Sequence, residues 1–235
     1  MLIYAHRGAS AIEPENTLRA FRRALEAGVD GIELDLHATS DRVPVVIHDR
    51  DVARTTNGQG LVSSITFEEL SKLDAGLGER VPTLDEVLSL VGDRIHLDLE
   101  IKQRGIEAEV LAVLDRHPKA RWAISSFDWD ILRAIRQRSS RAELWLLTMA
   151  ITDAVFRAAR ELGATAAALY APAYTPEAAR QLANAGLRAV LWTVNDPAVA
   201  DELQRRGADA LCTDAPEQVA AALRQSSGAT GGQPS

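Results

Sequence analysis

The chain has 235 residues, 26 basic and 33 acidic, with a net charge of −7 and 46% apolar content. This describes a soluble globule long enough to bury about 70% of its unfolded surface, and the acidic balance excludes a general nucleic-acid binder, which needs clustered cations. Cys212 is the single cysteine, so no internal disulfide can form; with no apolar run of about 18 residues and no signal-peptide pattern at Met1–Gly8, the expectation is a cytoplasmic protein without a transmembrane segment.

Leu2 to His6 reads as a strand, followed by a helix from Thr17 to Ala27 that stops at Gly28. Gly31 to Leu36 is the second strand. Val43 to His48 is also strand-like, but only His37 to Arg42 precede it. A parallel crossover needs a dozen or more residues and a hairpin only a few, so this segment is the antiparallel return arm of a hairpin. A loop-rich stretch leads to the second helix, Thr83 to Val91. Six further units follow in regular alternation. Their strands are Ile95 to Ile101, Trp122 to Ser126, Glu143 to Thr148, Ala166 to Tyr170, Ala189 to Val194 and Ala210 to Thr213. Their helices are Ile106 to Arg116, Trp129 to Arg138, Thr152 to Leu162, Pro176 to Ala185, Pro197 to Arg206 and Pro216 to Arg224. Proline opens the last three helices, and Gly163, Gly186 and Gly207 close theirs, the expected asymmetry of helix ends. With the hairpin set aside, eight strand–helix units predict a single α/β domain over residues 1–225, a (β/α)8 TIM barrel with a hairpin and short insertion after its second strand. A doubly wound open sheet is the alternative. Ser226 to Ser235 is low in complexity and is expected to be disordered.

Active sites of such barrels lie at the C-terminal strand ends. Glu33 and Asp35 on the second strand are two residues apart, as are Asp98, Glu100 and Lys102 on the third. Strand alternation puts each set on one face, with Ile32, Leu34, Leu36, Leu97, Leu99 and Ile101 on the other. The aliphatic set faces the helices, so the carboxylates point into the barrel mouth. Carboxylates confined together repel unless a cation or protons compensate. An all-oxygen set suits a hard divalent cation, Mg2+ or Ca2+. Surface pairing with Lys102 and Arg7 is the simpler reading, and for Asp98 the two readings stand level. Lys102 is one of three lysines among the 26 basic residues, which suggests that a compact point charge is wanted there; Lys72 and Lys119 read as solvated surface. His6 and His48 fall at strand ends near the carboxylates and could act as base and acid. His37, His96 and His117 read as structural or exposed. Asn16 reads as the cap of the first helix, and Trp192 as core or as an apolar wall for a ligand.

His6-Arg7-Gly8, Glu15-Asn16-Thr17, Glu33-Leu34-Asp35, Pro44-Val45-Val46-Ile47-His48-Asp49, Thr56-Asn57-Gly58, Pro82-Thr83-Leu84, Glu100-Ile101-Lys102, Ser125-Ser126-Phe127-Asp128, Trp192-Thr193-Val194-Asn195 and Thr213-Asp214-Ala215-Pro216 occur in this order. The pattern resembles the glycerophosphodiester phosphodiesterases and covers nearly the whole chain. One departure is Asp41-Arg42, where that family's hairpin often carries Asp-Gly. The resemblance implies a barrel enzyme that hydrolyses small glycerophosphodiesters to sn-glycerol 3-phosphate and an alcohol such as choline or ethanolamine. It implies Glu33, Asp35 and Glu100 as ligands of one divalent cation, and His6 and His48 as the acid–base pair. Arg7 and Lys102 would lie near the phosphate, Trp192 against the glycerol or alcohol portion, and Asn16 on the substrate side. Two rival readings use the same mouth: a lysophospholipase D, which would need an apolar groove for an acyl chain, and a barrel that binds ligand without catalysis.

Overall fold

The computed structural model describes residues 1–229. Its strands are β1 (Leu2–His6), β2 (Gly31–Ala38), β3 (Pro44–Val46), β4 (His96–Ile101), β5 (Arg121–Ser126), β6 (Glu143–Thr148), β7 (Ala166–Tyr170), β8 (Arg188–Trp192) and β9 (Ala210–Thr213). All but β3 run parallel in the order β1-β9-β8-β7-β6-β5-β4-β2, and β1 pairs with β2 to close the barrel. The helices between successive parallel strands are α1 (Leu18–Glu26), α3 (Leu84–Val91), α4 (Glu107–Arg116), α5 (Trp129–Arg138), α6 (Asp153–Leu162), α7 (Pro176–Asn184) and α8 (Pro197–Arg205), and α9 (Pro216–Ala229) follows the last strand. This is the predicted (β/α)8 barrel.

β3 is antiparallel to β2, with Leu36 opposite Val46 and Ala38 opposite Pro44. The hairpin is therefore as expected, but its arms differ from the expected bounds. β2 runs on to Ala38, because Leu36 to Ala38 gain β3 as a partner, and β3 is shorter than Val43 to His48. On its other edge the arm meets the segment before α3, the Val46 amide donating at 2.8 Å to the Pro82 carbonyl and Val45 bridging Thr83; the Ile47 amide still donates at 3.0 Å to the Asp35 carbonyl of β2, and His48 lies just past that bond. The loop-rich stretch carries 3-10 turns at Val52–Arg54 and Val62–Ser64 and a short helix, α2 (Phe67–Leu70). Val45, Ile47, Val52, Val62, Leu70, Ala75 and Val81 form a separate apolar cluster beneath it. α9 continues past Arg224 into the segment expected to be disordered; residues 230–235 of that segment lie outside the described residues.

Alternation along β2 and β4 decides which side chains point inward. Ile32, Leu34, Leu36, Leu97, Leu99 and Ile101 are buried in the main core, which includes residues of the surrounding helices such as Phe21, Leu84 and Val110. The barrel interior is a different cluster: Tyr4 and Trp145, filled in by Ala123, Ala166, Ala168, Val190 and Ala210. Tyr4 and Trp145 meet edge to face with centroids 5.6 Å apart, and His96 stacks on Trp145 at 5.5 Å. The Tyr4 hydroxyl lies 3.1 Å from His96 Nδ1, and the Trp145 indole donates to Glu143 at 2.8 Å. Both polar tips are thus satisfied where burial would make an unpaired group costly. These residues plug the N-terminal end of the barrel, and His96 is structural as expected.

Gly31 lets the plug fit. A Cβ there would stand 2.3 Å from the Tyr4 ring, and the ring has nowhere to go between His96 and Trp145. Gly31→Ala should cost about 1–3 kcal/mol through overpacking, a fall in Tm of about 2–4 °C per kcal/mol for a chain this long. Thermal unfolding followed by circular dichroism checks it; an unchanged Tm contradicts this packing.

Candidate active site

The opposite end of the barrel carries the ionisable groups. After β1 the chain turns sharply, with Arg7 at φ 56° and Gly8 at φ 84°. A Cβ on Gly8 would lie 2.7 Å from the Ala20 backbone, so glycine is what allows α1 to approach the end of β1. The Arg7 amide donates at 2.9 Å to the Glu33 carbonyl, tying the turn to β2. Asn16 also has a positive φ, 57°. It is not the cap of α1 as expected: Thr17 is, accepting from the Ala20 amide. The Asn16 amide instead donates at 2.8 Å to Asp35 Oδ2. Asn16 is buried and does not line the cavity described below, so its expected place on the substrate side becomes one behind a carboxylate.

The register between β2 and β4 puts Glu33 beside Asp98 and Asp35 beside Glu100. All four carboxylates are buried. Glu33, Asp35 and Glu100 offer oxygens that lie within 4.8 Å of one another. Asp98 stands apart from that group, one step deeper; its Oδ1 and the Ser125 hydroxyl are buried with no hydrogen-bond partner among the described residues. Two cations enter the cluster. Lys102 Nζ lies 2.8 Å from Glu100 Oε1 and 3.3 Å from Asp35 Oδ1, and Arg7 Nε lies 3.2 Å from Asp35 Oδ2.

The electrostatics follow from four acids facing two cations. Burial, then repulsion from Asp35, Asp98 and Glu100, holds the Glu33 carboxyl well above its ordinary range. Burial and Asp35 likewise raise Glu100, and burial pushes Asp98 up to about 7. Burial opposes ionisation of Asp35 as well, but Lys102, Arg7, His48 and the Asn16 amide outweigh it and leave that carboxyl below the usual range. Asp35 Oδ1 is buried and accepts no hydrogen bond from the described residues. An ionised oxygen met only by the Lys102 ammonium at 3.3 Å, between two carboxylates that repel one another, fits a hard cation bound through oxygens at about 2.0–2.6 Å.

His6 and His48 flank this cluster, each backed by a carboxylate. His6 Nδ1 lies 2.7 Å from Asp214 Oδ1, while Nε2 is 3.8 Å from Glu33 Oε2. Asp214 also accepts from Ser10 Oγ at 2.9 Å and Asn195 Nδ2 at 2.6 Å. Burial opposes its ionisation, but these donors, led by His6, hold its pKa down to about 2. His48 Nδ1 lies 2.5 Å from Asp49 Oδ1. Burial depresses His48 despite the opposing charges of Asp35 and Asp49. His37 takes no part: its Nε2 lies 3.2 Å from the His48 carbonyl.

Across the mouth the wall is apolar. Trp192 is locked by an indole hydrogen bond of 2.9 Å to the Ala168 carbonyl. The rings of Phe127 and Tyr170 each lie 5.5 Å from it, at 46% and 39% exposure. A cavity of about 140 Å³ opens between the two walls, lined by His6, Arg7, Glu33, His48, Lys102 and Trp192 among others. A larger cavity, about 1100 Å³, lies at the other end of the barrel around His96, His117 and Arg141 and contains none of the carboxylate cluster. All the site residues expected from the sequence except Asn16 and Asp35 line the smaller cavity, and those two sit directly behind it. Asp214, Asp49, Phe127 and Tyr170 had no role in the sequence reading. Asp214, Asp49 and Phe127 lie within the motifs quoted for the resemblance but were given no role there, and Tyr170 is marked only by its place at the end of β7.

The Glycerophosphoryl diester phosphodiesterase family model matches residues 6–218. A glycerophosphodiester phosphodiesterase of Caldanaerobacter subterraneus subsp. tengcongensis is 37% identical across 95% of this chain and 98% of its own length. Among solved structures, an Oleispira antarctica phosphodiesterase in complex with the product sn-glycerol-3-phosphate superposes with a TM-score of 0.91 at 28% identity, over 95% of this chain and 97% of that one. A glycerophosphodiester phosphodiesterase from Agrobacterium tumefaciens gives 0.84 at 28% identity, over 94% and 99%. With the barrel, the acidic cluster at its mouth and these likenesses in agreement, the chain belongs to the glycerophosphoryl diester phosphodiesterase family.

Proposed function

We propose that the protein hydrolyses small glycerophosphodiesters, such as glycerophosphocholine or glycerophosphoethanolamine, to sn-glycerol 3-phosphate and an alcohol, with His6 and His48 as acid and base and with Glu33, Asp35 and Glu100 holding one divalent cation, Mg2+ or Ca2+. The observation that carries this is the pair of carboxylate-backed imidazoles on either side of a buried three-carboxylate cluster. The complex of the similar Oleispira antarctica phosphodiesterase with its product sn-glycerol-3-phosphate supports the same product here. The single free, buried thiol of Cys212 suits a reducing, cytoplasmic setting for the reaction, and no helix among the described residues is long and apolar enough to cross a membrane.

A phosphodiester carries one negative charge and gains more as a nucleophile adds. Arg7 and Lys102 offset that charge from the site wall. A bound divalent cation supplies Lewis-acid polarisation of a phosphoryl oxygen. One histidine removes the proton of the attacking hydroxyl, from the glycerol 2-position or from water, and the other gives a proton to the departing alkoxide; where the 2-hydroxyl attacks, the product is a cyclic phosphate, which a water molecule then opens to sn-glycerol 3-phosphate. Asp214 and Asp49 each engage an Nδ1, which leaves Nε2 as the working nitrogen of both rings. Trp192 and Phe127 offer the apolar face against which the glycerol or alcohol portion packs.

Substitution, metal removal and pH test this reading. Glu33→Gln removes one of the three candidate ligands, so turnover should fall by at least about 10² while Tm stays nearly level, since burial and the neighbouring acids already hold the Glu33 carboxyl toward its neutral form and glutamine is its neutral isostere; a variant with wild-type turnover in metal-buffered solution refutes the ligand assignment. Chelation should abolish activity, and Mg2+ or Ca2+ should restore it. Burial and mutual repulsion raise the pKa values of Glu33 and Glu100, so protons compete with the cation for these carboxylates and cation affinity should tighten as pH rises; calorimetry in two buffers of different ionisation enthalpy measures the protons released. His6→Ala and His48→Ala should each lose at least about 10² in turnover, with substrate affinity changing much less. A nitrophenol ester, whose leaving group needs little protonation, should rescue only the variant missing the acid. Asp214→Asn should lower turnover without changing KM, because it presents the wrong tautomer of His6. Losses of no more than a few-fold in both histidine variants on glycerophosphocholine exclude the two-histidine mechanism.

A further inference from the structure

We infer that Arg54, carried by the insertion, is a positioning residue that orients His48 and Arg7 together. The inference rests on the reading of His48 as an acid–base group and of Arg7 as a phosphate ligand.

Arg54 ends the 3-10 turn Val52–Arg54, and that turn is rigidly seated. Val52 is buried in the insertion's own apolar cluster. Its amide donates to Gly60 at 3.0 Å, and the Val62 amide donates to Arg50 at 2.9 Å. The Asp51 side chain caps the turn through the Ala53 amide at 2.8 Å, and the Thr56 hydroxyl donates to the Val52 carbonyl at 2.8 Å. From this base the guanidinium reaches two carboxylates on different elements. Nε donates to Asp49 Oδ2 at 2.6 Å and Nη2 to Asp49 Oδ1 at 3.0 Å. Nη1 donates to Glu15 Oε2 at 2.8 Å and Nη2 to Glu15 Oε1 at 2.9 Å. Both pairings are bidentate. Asp49 then engages His48 Nδ1 at 2.5 Å, and Glu15 accepts from Arg7 Nη1 at 3.0 Å.

The stability gained here is small. Arg54 is nearly half exposed, and exposed ion pairs contribute about 0.2–1 kcal/mol. The effect is geometric: a planar fork fixes the planes of two carboxylates at once, which a lysine ammonium, a point charge, cannot do. His6 differs, since its Asp214 is held by Ser10 and Asn195, neutral groups near the barrel strand ends. The His48 side of the site is therefore aligned by the insertion, and the His6 side by the barrel itself.

The test is steady-state kinetics on glycerophosphocholine. Arg54→Lys should keep its Tm within a few degrees, lower kcat by about tenfold or more through misplacement of the reacting groups, and raise KM. Each arm should separate. Asp49→Asn should lower kcat with little change in KM, and Glu15→Gln should raise KM with little change in kcat. Asp49→Asn added to Arg54→Lys should lower kcat no further. If Arg54→Lys fails to fold, the two single-arm variants decide alone: kcat and KM moving together in both overturns the inference. Wild-type kcat and KM in Arg54→Lys, with His48→Ala inactive, overturn the role of Arg54 and leave the histidine reading standing. Wild-type turnover in His48→Ala overturns both.

Discussion

Glu33, Asp35, Asp98 and Glu100 are carried inward by two neighbouring parallel strands in matched register, so four carboxylates share one buried corner with two cations. No arrangement optimised for stability alone would hold them this way, because removing like charges from water together is costly. The surroundings answer that cost locally. Lys102 and Arg7 hold the Asp35 carboxyl below its usual range, burial and repulsion make Glu33 and Glu100 harder to ionise, and the Asn16 amide fixes one oxygen. The left-handed backbone at Arg7, Gly8 and Asn16 exists to bring those groups to the corner. The glycine at Gly8 and the burial of α1 are consequences of the same demand.

Much of this was legible in the chain because periodicity carries it. Two-residue spacing on β2 and β4 separates the inward acids from the outward aliphatics, and repeated strand–helix units with proline and glycine at helix ends mark the barrel. The short link before Val43 identified the hairpin. What periodicity does not carry was misread or missed. Asn16 precedes a helix in the way caps do, yet Thr17 caps it, and no spacing rule tells which of two adjacent residues adopts the left-handed turn. Asp98 stood level between two readings because its depth depends on barrel stagger, which is set by all eight strands. Phe127 and Tyr170 become a wall only once strand ends distant in sequence lie side by side. β3 ends earlier than expected because past Val46 the arm keeps one bond to β2, from the Ile47 amide to the Asp35 carbonyl, and then departs into the insertion.

The two halves of the mouth divide the labour by strand. β1, β2 and β4, with the segments just past β3 and β9, supply the ionisable groups, whereas β7 and β8, with the loop after β5, supply aromatic and aliphatic surface. A closed sheet makes this division possible, since both halves face the same small space while their helices pack outward into one continuous core. The carboxylates and the rings can therefore vary independently of the packing that holds the barrel shut.

The aromatic plug of Tyr4, His96 and Trp145 below the carboxylates has a kinetic meaning. It makes the cavity a blind well with one opening. Whatever enters must leave by the same route, past the rings of Trp192 and Phe127, and a molecule still in the well excludes the next. Throughput then depends on how quickly the mouth empties as well as on bond cleavage, and products that resemble the substrate act as competitors in proportion to their time in the well.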